Sequence, residues 1–91
     1  MFRRGKLWRS GRISSDEGFS VDIGGRDAIA YYEGSRKMTI TVDEGNSILY
    51  QTVGRWDDDP MLRLSDQDRA RIADNIKRAF ESQGLPVQFL R

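Results

Sequence analysis

The residues of this chain that could do chemistry gather into two charged segments. One is acidic: Trp56 is followed by Asp57, Asp58, Asp59 and then Pro60. The other is the basic N-terminus. The chain has no cysteine and no histidine, which excludes disulfides, zinc fingers, thiol chemistry and histidine-based acid–base catalysis. Any metal site would therefore have to use oxygen ligands.

The acidic segment is open to three interpretations. Three carboxylates could hold a divalent cation, but consecutive residues converge on one ion only around a turn such as the glycine-centred calcium loop, which is missing here. We therefore predict no metal and no other cofactor. The segment is then a solvated acidic loop or a protein-binding patch. Trp56 either plugs the junction of sheet and helix or anchors an interface, where tryptophan is enriched.

The basic segment covers the first twelve residues, which hold five basic side chains and no acid. The rest of the chain has 10 basic and 14 acidic residues, a net charge of −4. Such an arm is a loosely docked terminus, a partner-binding arm or a nucleic-acid arm. In the last case the basic groups neutralise phosphates while Trp8 stacks on a base. The candidate nucleic-acid-binding residues are Arg3, Arg4, Lys6, Trp8 and Arg9.

No other residue pattern indicates catalysis. Tyr31, Tyr32 and Glu33 are adjacent, but no second group of known geometry accompanies them. The pair Gly24–Gly25 lacks the lysine and hydroxyl residue that follow a phosphate-binding loop. We therefore predict a protein that is not an enzyme.

Alternating residues between 19 and 53 predict the sheet that positions these segments. Apolar and polar residues alternate in 19–23 and in 38–42, which is typical of half-buried strands. Ala28 to Glu33 is apolar on both faces, so this strand should be covered on both sides or lie at an interface. Further strands are predicted at 12–15, at 48–53 and, as a short edge strand, at 87–90.

One helix is predicted after the acidic segment. Ser65 has the position of an N-cap, with Asp68 three residues later, and Gly84 followed by Pro86 ends the helix. Its apolar stripe consists of Ile72, Ala73, Ile76, Ala79 and Phe80. The fold class is therefore α+β: an antiparallel meander of four to six short strands packed on one C-terminal amphipathic helix. Residues 1–11 form a basic N-terminal arm and residues 12–91 a single domain.

The size of the chain limits what it can enclose. At 91 residues it is one domain with a modest core. A homodimer would bury more surface, with Tyr31 or Tyr32 at a two-fold interface. No apolar run approaches the roughly 20 residues that cross a bilayer, and no secretory signal is recognisable. We therefore expect a cytoplasmic protein without a membrane partner.

The sequence resembles the immunity protein 74 family of bacterial polymorphic toxin systems over about residues 11 to 85. Residues 25–34, which read GRDAIAYYEG, are followed by Arg36 and the strand at 38–42. The second half resembles the closing strand–Trp–Pro–helix segment of that family through Ile48, Tyr50, Trp56, Pro60, Ser65, Ile72 and Ile76. The basic arm of the first ten residues departs from the family pattern.

This resemblance implies a cytoplasmic protein that neutralises a cognate toxin by binding and occluding it. It implies no catalytic residues. If the toxin is a nuclease with a basic substrate groove, the acidic loop is the first candidate for the contact. The expected partner-binding residues are then Trp56, Asp57, Asp58, Asp59, Asp66 and Asp68. The alternative is a small nucleic-acid-binding domain that uses the basic arm and aromatic side chains on the sheet.

Overall fold

The computed structural model describes residues 2–4, 12–23, 27–43 and 47–90. Within these residues the chain forms one sheet of seven strands and one α-helix. The strands are β1 (Phe2–Arg4), β2 (Arg12–Ser15), β3 (Phe19–Asp22), β4 (Ala28–Glu33), β5 (Arg36–Asp43), β6 (Ser47–Leu49) and β7 (Gln88–Leu90). The helix α1 is Asp66–Ser82. The predicted α+β class is confirmed.

The strands lie side by side in the order of the sequence. Each neighbouring pair from β1 to β6 is antiparallel, as expected of a meander. The pair β6–β7 is parallel, because α1 carries the chain back before β7 begins. Six strands were within the predicted number. The seventh, β1, comes from the segment predicted to be a basic arm.

The core lies between α1 and one face of the sheet. Tyr31 of β4 is opposite Val21 of β3 and Met38 of β5, and all three side chains are fully buried. The predicted alternation in β3 and β5 is therefore confirmed. All five residues of the predicted helix stripe are also buried. Of the described part of the chain, no helix is long and apolar enough to cross a membrane.

The ends of α1 follow the predicted signals. The Ser65 hydroxyl accepts a hydrogen bond from the Asp68 amide at 3.1 Å, which satisfies one of the free donors of the first turn. Gly84 has a φ of +69°, a left-handed conformation that costs glycine least. The Leu85 amide then donates to the Phe80 carbonyl at 3.0 Å. These bonds fix where the chain enters and leaves the helix.

The last strand of the meander is shorter than predicted. The prediction placed it at 48–53, but β6 ends at Leu49 and Tyr50–Thr52 forms a 3-10 turn. The Thr52 hydroxyl donates to the Leu49 carbonyl at 2.6 Å and accepts from the Thr41 amide at 3.1 Å. The Thr52 hydroxyl thus bonds to the backbone of Thr41 and Leu49, where the prediction expected strand pairing.

The second face of β4 is covered by side chains of the same sheet. Tyr32 lies on the face opposite α1 and is half-buried. The Arg12 guanidinium lies 4.3 Å from its ring centroid, and the Lys37 amine lies 6.0 Å from it. Tyr31 is fully buried, so of the two tyrosines proposed for a two-fold interface only Tyr32 is accessible.

Candidate functional site

The acidic segment belongs to a closed loop of residues 54–65, here called the 54–65 loop. The Leu64 amide donates to the Gly54 carbonyl at 3.4 Å, which brings the two ends together. Inside the loop, the Asp59 amide donates to Trp56 at 3.1 Å and the Leu62 amide donates to Asp59 at 3.2 Å. A surface loop whose ends meet and whose backbone bonds to itself is a defined structure. It can therefore present side chains in fixed positions.

Trp56 anchors this loop in the core. It is 5% exposed, and its ring centroid lies 6.3 Å from that of Tyr31. The Arg36 guanidinium lies 5.1 Å from its ring on the outer side. Of the two predicted roles, the structure places Trp56 as the plug of the core. Its ring is not available as a contact surface unless the loop opens.

Asp57 provides hydrogen-bond partners to the part of the β5 edge that no described strand pairs with. Its carboxylate accepts the Thr39 amide at 2.9 Å and the Thr39 hydroxyl at 2.7 Å. Its own amide donates to the Lys37 carbonyl at 2.8 Å. Because β6 pairs with β5 only at Val42 and Asp43, the rest of that edge needs other partners. Asp57 therefore has a structural role within the predicted acidic patch.

Asp58 and Asp59 differ from Asp57 in being outward-facing. The Asp58 carboxylate lies 3.3 Å from Arg36, and its side chain is mostly exposed. A solvated ion pair of this kind contributes little to stability. Asp59 is exposed, and its carboxylate has no hydrogen bond or ion pair with any residue that the structure describes. These two carboxylates are available to a partner.

The tip of the loop exposes two apolar side chains. Met61 is 88% exposed and Leu62 is 44% exposed, and Leu90 at 37% is the one other large hydrophobic residue of the described ranges in this class. Neither tip residue was predicted from the sequence. The available signal was an apolar pair that follows Pro60 and belongs to no strand or helix periodicity.

The remaining predicted partner-binding residues, Asp66 and Asp68, lie in the first turn of α1. The Asp68 carboxylate lies 3.8 Å from Arg71 Nε, whereas Asp66 is exposed. Both follow the 54–65 loop closely in the sequence.

The nucleic-acid-binding candidates are divided between described and undescribed residues. Arg3 and Arg4 lie in β1, where they are paired with Ser14 and Ile13 of β2. Lys6, Trp8 and Arg9 lie outside the described residues.

A second charged cluster joins α1 to the sheet and was not predicted. We call it the helix–sheet network; it consists of Glu17, Tyr31, Glu33, Arg71, Asn75 and Arg78. Arg71 makes a two-point contact with the Glu33 carboxylate at 2.7 and 3.3 Å. Arg78 does the same with Glu17 at 2.7 and 3.3 Å. The two pairs are connected through buried polar groups between them.

The connection runs through Tyr31 and Asn75. The Tyr31 hydroxyl donates to Glu33 at 2.6 Å and accepts from the Asn75 amide at 3.0 Å. The Asn75 carbonyl in turn accepts from Arg78 at 2.7 Å. The Tyr31 hydroxyl and both polar atoms of the Asn75 side chain thus have partners, as buried polar groups require. Arg78 Nε is buried without a hydrogen bond and lies 3.3 Å from the Asp74 carboxylate.

The protonation states in the helix–sheet network follow from these contacts. Burial raises the pKa of Tyr31 far above its usual value, and the hydrogen bond to Glu33 adds to that rise, so the hydroxyl stays protonated. Burial opposes ionisation of Glu33, but the hydrogen bonds from Arg71 and Tyr31 outweigh it and hold the pKa of this carboxyl below its usual range. With its cations paired, the network is a structural element rather than a site of proton transfer.

The acidic residues form no metal centre in the described part of the chain. No group of three or more histidine, cysteine, aspartate or glutamate side chains is arranged there to hold an ion. In particular, Asp57 turns inward to Thr39 while Asp58 bonds to Arg36, so consecutive carboxylates diverge.

Comparison with known proteins gives no relative from which a function could be transferred. No protein-family model matches the chain, no curated protein matches it, and no solved structure matches it.

Proposed function

We propose that this is a non-enzymatic immunity-type protein that binds a cognate bacterial toxin and neutralises it by occlusion. The observation that carries the proposal is the exposed pair Met61 and Leu62 at the tip of the 54–65 loop. The sequence resemblance supplies the immunity class, and the loop supplies a surface suited to binding a protein.

Exposed apolar side chains on a small domain indicate a contact surface when they are presented together. Met61 is unbranched and polarisable, and such side chains adapt to the shape of a partner pocket. The loop is held by Trp56 in the core and by Asp57 on β5. Because little conformational freedom remains to be lost, this bracing favours binding.

Charge adds specificity to the apolar tip. Asp58 and Asp59 precede Met61, and Asp66 follows it at the helix start. The partner that fits is a protein with an apolar pocket and a basic rim, such as the substrate groove of a nuclease. A stable complex buries roughly 1,200–2,000 Å² in total, so the loop would act as the anchor of a wider contact.

The test uses the toxin domain encoded beside this protein's gene in its native host. Co-expression of the wild type should restore growth of cells that make the toxin, and the purified pair should form a complex. The change Met61→Asp places a charge in the apolar contact and should abolish rescue. Leu90→Asp, on β7, is the matched control because Leu90 is also an exposed hydrophobic residue but lies outside the loop.

Unfolding in denaturant should show that Met61→Asp is as stable as the wild type. Full rescue and unchanged affinity in Met61→Asp would remove the tip from the interface. Absence of any complex with the wild type would refute toxin neutralisation for that pair.

The alternative function is binding of single-stranded nucleic acid. It is favoured by the face of the sheet opposite α1, where Arg12 and Lys37 flank Tyr32. Affinity should fall steeply with salt and should drop in Arg12→Gln and in the arm changes Arg3→Gln, Arg4→Gln, Lys6→Gln and Arg9→Gln. No binding of single-stranded DNA or RNA at low salt would exclude this function.

A further inference from the structure

We propose that a cleft between the 3-10 turn and the start of α1 binds the phosphate group of a small phosphate monoester, such as a nucleoside monophosphate. The cleft has a volume of about 520 Å³ and is lined by Arg55, Arg63 and Arg69. Small-molecule sites have volumes of roughly 300–1,000 Å³. We call it the arginine cleft.

Arg69 supplies a guanidinium that is already held in place. Its Nε donates to the Val53 carbonyl at 2.7 Å, and its Nη2 donates to the Tyr50 carbonyl at 3.2 Å. The guanidinium also lies 4.9 Å from the Tyr50 ring. A guanidinium has five N–H donors, so donors remain for a ligand. Both of its hydrogen-bond acceptors are neutral carbonyls, and no described carboxylate forms an ion pair with it.

Gly54 allows this arrangement. Its φ is +149°, and a Cβ atom at this position would lie 3.0 Å from Arg69 Nε. A side chain here would therefore displace the arginine or the backbone. Because Gly54 has no side chain, its backbone lies close to the Arg69 guanidinium in the cleft.

Arg55 and Arg63 differ from three other arginines of the described residues. Arg36, Arg71 and Arg78 each contact a carboxylate at 3.3 Å or less. Arg55 and Arg63 are exposed and have no hydrogen bond or ion pair with any residue that the structure describes. Asp66 is the one carboxylate in the lining, so three arginines and one aspartate give the cleft a formal charge of +2.

A phosphate monoester fits the charge of this cleft and the arginines that line it. Its dianion matches the charge, and guanidinium groups pair with phosphate oxygens through parallel hydrogen bonds. The cleft is larger than a phosphate group alone. The remaining space is bordered by Gln51 and Ser65, whose polar side chains can bond to a sugar or base.

In the test, the full chain is titrated at constant ionic strength, and binding is monitored through the NMR chemical shifts of the backbone amides. The probes are inorganic phosphate and adenosine 5′-monophosphate, with sodium chloride as the anion control. Saturable shifts at Gly54, Arg55 and Arg63 with both phosphate probes are expected. The nucleotide should bind more tightly; equal affinities would overturn the nucleoside part of the proposal, and shifts equal to those from chloride would overturn all of it.

Variants then assign the site. Arg55→Gln and Arg63→Gln should each weaken binding by about tenfold, the effect of one charged hydrogen bond. Asp66→Asn should tighten binding, because it removes the opposing carboxylate. Lys77→Gln, at an exposed position of α1 that does not line the cleft, is the matched control and should change nothing. Equal affinities in all four variants would refute the arginine cleft.

The result is separable from toxin binding. Met61→Asp should bind both probes like the wild type, because the tip does not line the cleft. Failure of the toxin test would therefore leave the arginine cleft standing, and the reverse also holds.

Discussion

The helix–sheet network and the 54–65 loop are both rich in charge, yet they use it differently. In the network each arginine contacts a carboxylate, and the polar groups between them bond to one another. In the loop, Asp57 bonds to Thr39 and Asp58 forms a solvated ion pair with Arg36, while Asp59 has no described partner and lies near an exposed apolar tip. The paired charges of the network join α1 to the sheet. Unused charges beside apolar surface are those a partner can recognise.

The comparison also shows why a perturbed pKa is a poor guide to function in this molecule. The shifts of Tyr31 and Glu33 arise from burial and from hydrogen bonds inside the network. Structural ion-pair networks shift pKa values as active sites do. The more informative property is whether a polar group still has free donors or acceptors.

The largest expected effect is on the free energy of unfolding, and it distinguishes the buried anchor of the 54–65 loop from its exposed tip. Trp56→Ala empties a buried site against Tyr31 and should lower the free energy of unfolding by about 3–5 kcal/mol. Met61→Ala removes an exposed side chain and should change it by less than about 0.5 kcal/mol. Urea unfolding of both variants measures the difference. Similar losses in the two variants would show that the tip is packed.

The next effect concerns the centre of the network. Asn75→Ala leaves the Tyr31 hydroxyl without its donor and removes one of the acceptors of Arg78, which should cost about 1–3 kcal/mol. Tyr31→Phe should interact with it in a double-mutant cycle, because both changes break the same chain of bonds. Additive losses in the double variant would contradict a connected network.

Asp57 and Asp59 test the division within the acidic segment. Asp57→Ala removes the bonds to Thr39 and should lower the free energy of unfolding by about 1 kcal/mol. Asp59→Ala should be nearly neutral. Hydrogen exchange of the Thr39 amide provides a local readout, since it should accelerate in Asp57→Ala alone. Unaltered exchange there would mean that the carboxylate does not protect the edge of β5.

A smaller effect is expected on the rate of complex formation. Asp58→Ser combined with Asp59→Ser should slow toxin association several-fold and reduce its dependence on salt. Stability should be retained, because Asp57 is left in place. Stopped-flow mixing at two salt concentrations measures both quantities. An association rate equal to that of the wild type would exclude these carboxylates from the encounter.

The smallest effect is a dependence of stability on pH. The pKa of Glu33 is below its ordinary value of 4.5 in the folded protein. Its pairing with Arg71 therefore stabilises the fold fully above that ordinary value and is lost as the pH falls through the folded pKa. Glu33→Gln should make the free energy of unfolding fall less between neutral and acid solution. An unchanged acid profile would assign the dependence to other carboxylates.

The sequence predicted the fold where the signal was local. Alternation in β3 and β5 placed Val21 and Met38 in the core, and helical spacing placed Ile72 and Ile76 there. Ser65 ended the loop as expected because its bond to Asp68 spans three residues. Patterns of this kind depend on residues that are close together in the sequence.

The contacts that it did not predict join distant parts of the chain. Arg71 is 38 residues from Glu33, and Arg78 is 61 residues from Glu17. Asp57 likewise bonds to Thr39, which is 18 residues away in the sequence. This partner of its carboxylate could not be inferred from local spacing. Whether an acidic residue is structural or exposed depends on the register of strands, which local spacing does not fix.

The parallel pairing of β6 with β7 has a consequence for the growing chain on the ribosome. Strands β2 to β6 and α1 are synthesised before Gln88, so the outer edge of β6 stays without its β7 partner until then. An unpaired strand edge is a template for pairing with other chains. The outer edge of β6 is therefore open to misassembly while the residues between β6 and β7 are being synthesised.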